Sequence, residues 1–478
     1  MKLNKKLALA VASAVLSISS SAFAAVDFMN DDAPFKTDLN IAGHNGDLQF
    51  YGIIDIGYGS TDHSYEPNNY QPNNFYSFQQ YKTANGTVPS SQSDWFSGGL
   101  QASRIGLKGG IDLFSLGESK IKLIGQLETG FNPLNGELLN AAKALQQNSG
   151  SANFTRTVSA DSSLNGQFFN RQAWTGIDAG QAGKLTFGLQ YNPFYTITTD
   201  YDPLHHADTF SPLGESGTVG GGGGVSENSR MANSFKYANS LDVAGGKLTG
   251  SAMYQHGNAS GRWDSNGRGY ALQAGYENNN WMGFGVQVSY NNFTDAIAAA
   301  TSTTANDIKA ALYNTDAWLV AFQLKPLEDL KLNAGYEFYE RKTADDSSLP
   351  YGDLWGIQVS GYAQGLTNGA GSYREYQFAW AGLTYDVGHR IPMLKDLEFD
   401  LAYYSSVTDA THNANGANGS GDAGRVGTWS ALLDYKLNKR FDTYLAYTHN
   451  DFSGAAYSGS SGMNSSQEMA GVGVRMKF

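Results

Sequence analysis

Lys120-Ile121-Lys122-Leu123-Ile124-Gly125-Gln126-Leu127-Glu128-Thr129-Gly130-Phe131 decides the fold, because its two parities differ in kind. Lys122, Gln126 and Glu128 share one side of a period-two repeat, and Ile121, Leu123 and Leu127 share the other. This is a strand with one wet face and one apolar face. A lysine or arginine turned toward lipid near mid-membrane costs roughly 2–4 kcal/mol, so in a membrane-spanning strand the charged parity must face a lumen. Glu128 and Lys122 are accordingly expected to face the lumen.

The same rhythm extends outward. Leu48, Phe50, Ile54 and Ile56 alternate with Gln49, Tyr51 and Asp55, after a polar lead-in over 27–46 and before a stretch without period over 59–94 that reads as a long loop. A second strand is expected over 95–109. Strands over 168–179 and 184–191 flank the turn Gly180-Gln181-Ala182-Gly183. Further strands are expected near 229–238, 246–256, 268–278, 281–292, 312–324, 329–341, 373–387, 394–408, 424–436, 441–451 and 465–478. The last of them puts Ala470, Val472, Val474, Met476 and Phe478 on one face, with Arg475 and Lys477 on the other. With the five strands before residue 192 the total is about 16, an even number suited to a closed antiparallel sheet. Short connections at 239–245, 278–280, 326–328, 388–393 and 438–440 alternate with long ones rich in Asn, Ser, Gly and Thr. That asymmetry separates periplasmic turns from external loops. One long loop, 132–167, carries a possible helical turn at 137–145.

Composition narrows the class. Residues 1–24 have a basic start (Lys2, Lys5, Lys6), an apolar run over 7–18 and the small-residue ending Ala22-Phe23-Ala24, a secretory signal peptide with cleavage expected after Ala24. Removing three lysines takes the formal charge from -12 to -15, and an acidic chain lacks the clustered cations that nucleic acid requires. There is no cysteine, so no disulfide framework supports the exported domain, 25–478. Beyond the signal peptide no apolar run reaches the roughly twenty residues of a transmembrane helix. The 57 Gly, 28 Tyr and 25 Phe against 11 Pro favour strands with tight turns over long helices. No short repeat supports a solenoid. The fold class is all-β, a transmembrane antiparallel β-barrel.

The segment Tyr191 to Arg230 is too long to be an idle connection in a compact domain. It carries Asp200, Asp202, Asp208 and Glu215 and a five-glycine run at 220–224 that lets the chain turn back sharply. The expectation is a loop over 192–228 folded into the lumen, with its carboxylates opposite arginines on the wall. His205-His206 with Asp208 lacks the spacing of a rigid metal site. The glycine run is followed by no Gly-Lys-Ser/Thr, and no nucleophile elbow occurs. An enzyme, a cofactor and a bound metal are therefore not expected.

Several runs resemble Gram-negative general diffusion porins: Leu48-Gln49-Phe50-Tyr51-Gly52, Ser103-Arg104-Ile105-Gly106-Leu107-Lys108-Gly109, Gly125 to Phe131, Phe169-Asn170-Arg171-Gln172-Ala173-Trp174-Thr175-Gly176, Phe187 to Tyr191, Asn228 to Tyr237, and the final Phe478. Between about 257 and 424 only the strand rhythm carries the likeness. The resemblance implies a barrel of 16 strands, a homotrimer set in outer-membrane lipid and lipopolysaccharide, and a third external loop that narrows each pore. It places Arg104, Arg171 and Arg230 in the lumenal arginine cluster, with Lys236 as a weaker addition. The acidic half comes in the family from a Pro-Glu-Phe-Gly-like turn, where this chain has Pro212-Leu213-Gly214-Glu215-Ser216-Gly217. Glu215 is the first choice for that carboxylate, then Asp208, Asp202 and Asp200. Leu189-Gln190 departs from the family, whose members often carry a basic residue at the first of these positions.

The function implied is a water-filled outer-membrane channel for small hydrophilic solutes and ions, polarised by opposed charges across a narrow gap. A channel preferring sugars, with Tyr65 to Tyr81 and Tyr191 to Tyr201 as an aromatic track, is the alternative, and a surface adhesion protein is a third reading. The mature charge of -15 predicts a mild preference for cations.

Overall fold

The computed structural model describes residues 35–62, 91–117, 119–136, 168–216, 230–256, 268–304, 307–343, 353–354, 357–358, 373–410, 412, 423–454 and 466–478. The signal peptide, the 137–145 segment and the glycine run lie outside them.

The strands are β1 (Lys36–Ile41), β2 (His44–Asp62), β3 (Ser91–Ser97), β4 (Arg104–Leu116), β5 (Ser119–Gly130), β6 (Gln172–Asp178), β7 (Lys184–Tyr191), β8 (Arg230–Val243), β9 (Gly246–Gln255), β10 (Gly269–Asn278), β11 (Phe284–Thr304), β12 (Asp307–Leu327) and β13 (Leu330–Thr343). A separate small hairpin, β14 (Asp353–Leu354) and β15 (Ile357–Gln358), precedes β16 (Tyr373–Asp386), β17 (Leu397–Thr408), β18 (Gly424–Lys436), β19 (Phe441–Gly454) and β20 (Ser466–Lys477). Each strand from β4 to β13 pairs antiparallel with the next, β13 pairs with β16, and the ladder continues to β20.

Closure occurs on β2. Its residues 46–53 pair with β4 and residues 56–62 with β3, so β3 and β4 share one position in the wall. On its other edge, residues 53–62 pair with β20 and residues 44–49 with β1. Eighteen segments therefore fill sixteen positions. The polar lead-in, read as strand-free, in fact supplies β1, because the edge of β2 below Phe478 would otherwise carry unpaired backbone groups. Phe478 exchanges both backbone hydrogen bonds with Gly52, and its ring meets Phe50 and Phe35 at 5.6 and 6.0 Å.

Three further expectations are corrected. The strand expected over 95–109 is interrupted at 98–103, where Gly98 takes φ +79 and Asp55 accepts hydrogen bonds from the Leu100 and Gln101 amides. The strand expected from Phe168 begins only at Gln172. β11 and β12 also run on to Thr304 and from Asp307, through three register shifts, across what reads in sequence as loop.

Side-chain parity is that of a barrel in lipid. Cross-strand neighbours Leu433, Leu445, Val472 and Tyr58 form an exposed apolar band around the outside, whereas Leu432 and Ala446, one residue along, are buried inside. Leu445→Arg should therefore destabilise the folded barrel by roughly 2–4 kcal/mol in lipid. Urea unfolding in vesicles measures this, and a loss below about 1 kcal/mol would mean that this face does not meet hydrocarbon.

Candidate functional site: a loop lodged in the barrel

Asn192-Pro193 opens a helix, α1 (Pro193–Tyr201), because Asn192 accepts the Tyr195 amide at 2.9 Å and proline suits the first helical position. Phe194, Ile197, Thr198 and Tyr201 recur at helical spacing and are all buried. A short second helix, α2 (Pro212–Ser216), follows. The Asn-Pro pair and this spacing were the available signs of a helix in a segment read only as a loop.

The segment is inside the barrel. Its polar groups reach strands on every side: Trp380 Nε1 donates to Tyr201 O (3.0 Å), Thr384 to Pro203 O (3.2 Å), Thr448 to Phe210 O (3.3 Å), Tyr201 OH to Glu277 (3.0 Å) and Thr209 to Gly98 O (2.9 Å). A chain that bonds to β10, β16, β19 and the 98–103 break together can only lie within the ring they form. Phe194, Ile197, Leu204, Phe210 and Leu213 join Phe378, Tyr404 and Tyr444 of the wall in one apolar cluster. Burying each such side chain stabilises the loop's seat by about 1.5–3 kcal/mol.

Opposite that cluster, a cavity of ≈ 290 Å³ remains, lined by Arg104, Glu128, Gln172, Tyr191, Asp200 and Asp208 among others. Arg104 is the wall cation that reaches it, partly exposed and 3.7 Å from Glu128. Arg171 is buried, its Nε donating to Glu128 at 2.8 Å and a terminal nitrogen to Tyr191 OH at 2.6 Å. Arg230 is buried too, donating to Tyr191 OH at 3.2 Å, with its guanidinium 4.7 Å from that ring. Lys236, half-buried, donates to Tyr191 O at 3.0 Å. The three arginines thus converge, but two of them stand behind Tyr191 and Tyr195, which stack at 4.1 Å. Glu128 neutralises part of their charge and accepts from Tyr51 OH at 2.8 Å.

The loop carboxylates separate into different roles. Asp200 and Asp208 line the cavity. Burial pushes the Asp208 carboxyl up to about 7, against the pull of Arg171 and Arg104. Burial also raises Asp200, with Glu277 adding to it. Asp202 does not face the cavity: it is fully buried and accepts from the Leu204 and His206 amides, Ser211 and Tyr404. Asp202 thereby caps the turn in which His205 and His206 take left-handed φ of +54 and +59: its carboxylate accepts the Leu204 and His206 amides and its carbonyl oxygen the His205 amide. Glu215 belongs to α2, and its side chain lies outside the described residues. Lys122 pairs with Asp112 at 3.4 Å, in the half of β5 nearer its short turn and away from the arginines. His206 packs on Tyr195 at 4.9 Å, and burial and then Arg171 lower its imidazole to about 3, leaving it neutral.

A family model described as Gram-negative porin matches residues 8–455. No curated protein matches the sequence. Among solved structures, the fold is similar to an anion-selective porin from Comamonas acidovorans at 16% identity, covering 91% of this chain and 100% of that one, with TM-score 0.55. It is also similar to the outer membrane protein OmpT of Vibrio cholerae at 12% identity, covering 91% and 98%, with TM-score 0.51.

Proposed function

The chain belongs to the Gram-negative porin family, and on that premise we propose that solutes pass through the gap between Arg104 on the wall and Asp200 and Asp208 on the lodged loop. The protein is an outer-membrane channel for passive diffusion. The observation that carries the proposal is the cavity bounded by these opposed charges. Water crossing such a gap is ordered by the transverse field, and small polar solutes exchange hydration for it more readily than apolar ones. Residues 1–24 are removed on export, residues 25–478 form the barrel, 192–228 is the constricting loop, and three barrels associate in outer-membrane lipid and lipopolysaccharide. No catalytic step is assigned to any residue.

Of the sugar-track alternative, Tyr65 to Tyr81 lies outside the described residues, and the Tyr191 end is disfavoured by the same geometry. Tyr191 and Tyr195 are stacked on each other and lie beside Arg230, so their faces are already engaged.

Reconstitution into planar bilayers tests the proposal. Ohmic conductance in groups of three steps is expected, and a silent bilayer would overturn it. Selectivity adds a sharper outcome. Asp208, with its carboxyl near 7, is neutral below that pH and charged above it. The ratio of cation to anion permeability should fall by about two-fold from pH 9 to pH 5, and Asp208→Asn should hold it near the low-pH value throughout. An unaltered pH response in Asp208→Asn would remove Asp208 from the permeation path.

A further inference from the structure

His205, Glu398 and Asp400 meet where the lodged loop touches β17. Glu398 and Asp400 stand two apart on that strand and share its inward parity, and His205 approaches from the loop. His205 Nε2 lies 3.0 Å from Glu398 Oε1 and 3.7 Å from Asp400 Oδ2, and the three groups offer ligand atoms all within 4.8 Å of one another. Two ligand atoms bound at the usual zinc distances in a tetrahedron lie about 3.3 Å apart, so a small adjustment would let one ion bridge all three.

Asp400 supplies the independent observation. Its side chain is 0% exposed, and neither carboxylate oxygen accepts a hydrogen bond, because the neighbouring Thr384 hydroxyl donates to Pro203 O instead. A buried carboxylate without donors is costly to the fold, and a metal ion would satisfy it. Lys436 engages the other oxygen of Glu398 at 3.6 Å, leaving Oε1 turned toward His205. His205 also lines the cavity, so the cluster is open to ions from the lumen. The rival occupant is a proton, which would make His205 an imidazolium paired with both carboxylates. Lys331 and Lys436 add positive charge that any divalent ion must outcompete.

We propose that His205, Glu398 and Asp400 bind one first-row divalent cation of the zinc class, joining the constricting loop to the barrel wall. One imidazole with two carboxylates suits Zn²⁺, with water completing the coordination. Mg²⁺ and Ca²⁺ prefer all-oxygen shells and should compete poorly. The site adjoins the Arg104–Asp208 cavity through His205, and its occupancy does not depend on conduction.

The test is a zinc titration by calorimetry, with metal analysis after dialysis, on untagged full-length protein folded in detergent. One Zn²⁺ per protomer is expected, insensitive to millimolar Mg²⁺, with affinity at least tenfold weaker in His205→Ala and in Asp400→Asn. Glu398→Gln is the third arm should either variant fail to fold. Co²⁺ in the wild-type protein should give visible d–d bands that Zn²⁺ displaces. No stoichiometric binding to the folded wild type, or equal affinity in every folded variant, would overturn the site and leave the proton as its occupant. Neither outcome would alter the diffusion-channel reading, which the bilayer experiment decides.

Discussion

Glu128→Ala is expected to cost the folded barrel about 3–5 kcal/mol, because it leaves Arg171 charged and out of water with its carboxylate gone. Arg171 is 1% exposed, and Glu128 holds it at 2.8 Å while also lying 3.7 Å from Arg104. Tyr51 OH, 2.8 Å from Glu128, would lose its acceptor as well. The charges would also spread toward the cavity, so the channel that survives should be more favourable to anions. Urea unfolding in vesicles gives the stability change, and the reversal potential in a salt gradient gives the selectivity change. Pairing the substitution with Arg171→Met removes both buried charges and should recover a large part of the loss, since apolar replacement of a buried pair is often close to neutral. A single variant as stable as wild type, or a double variant less stable than either single one, would show that the pair does not hold β5 against the segment preceding β6.

Asp202→Ala should release the lodged loop. Asp202 is the point where two loop amides, Ser211 and Tyr404 of β17 all converge, and each hydrogen bond to a charged group contributes roughly 1.5–3 kcal/mol. These contributions are not additive, but the four bonds tie residues 202–211 of the loop to one another and to β17. With the carboxylate gone, the left-handed turn at His205 and His206 loses its cap and the wall loses its tie through Tyr404. Unitary conductance should rise or become noisy, and protease should cut between residues 203 and 216 in folded barrels. Tyr404→Phe removes one of the four bonds and should show the same effect in weaker form. Wild-type conductance together with full protease resistance in Asp202→Ala would mean that the apolar cluster seats the loop unaided.

The barrel was legible in the sequence because lipid imposes a local rule. Each strand must put apolar groups outward at every second residue, and that rule is visible within a dozen residues, as in Lys120 to Phe131 and in Met469 to Phe478. Strand number and the arginine motifs at Arg104, Arg171 and Arg230 follow from the same short windows. What those arginines do was not local. Arg104 reaches the cavity and Arg171 does not, although both occupy inward-facing motifs, because Tyr191 and Glu128 come from other strands to cover and neutralise Arg171. The ranking of Asp200, Asp202, Asp208 and Glu215 could not be read for the same reason: four carboxylates in one loop look alike until the loop is folded.

By itself the sequence determined an acidic all-β chain with a two-faced strand repeat, since composition and parity are properties of neighbouring residues. Only the tertiary structure decided that β1 completes the wall beside β20, that Asp202 is a fastening and not a pore charge, and that His205 meets Glu398 and Asp400 almost two hundred residues away. Those outcomes depend on which distant groups the closed ring brings within bonding distance, and no local pattern encodes that distance.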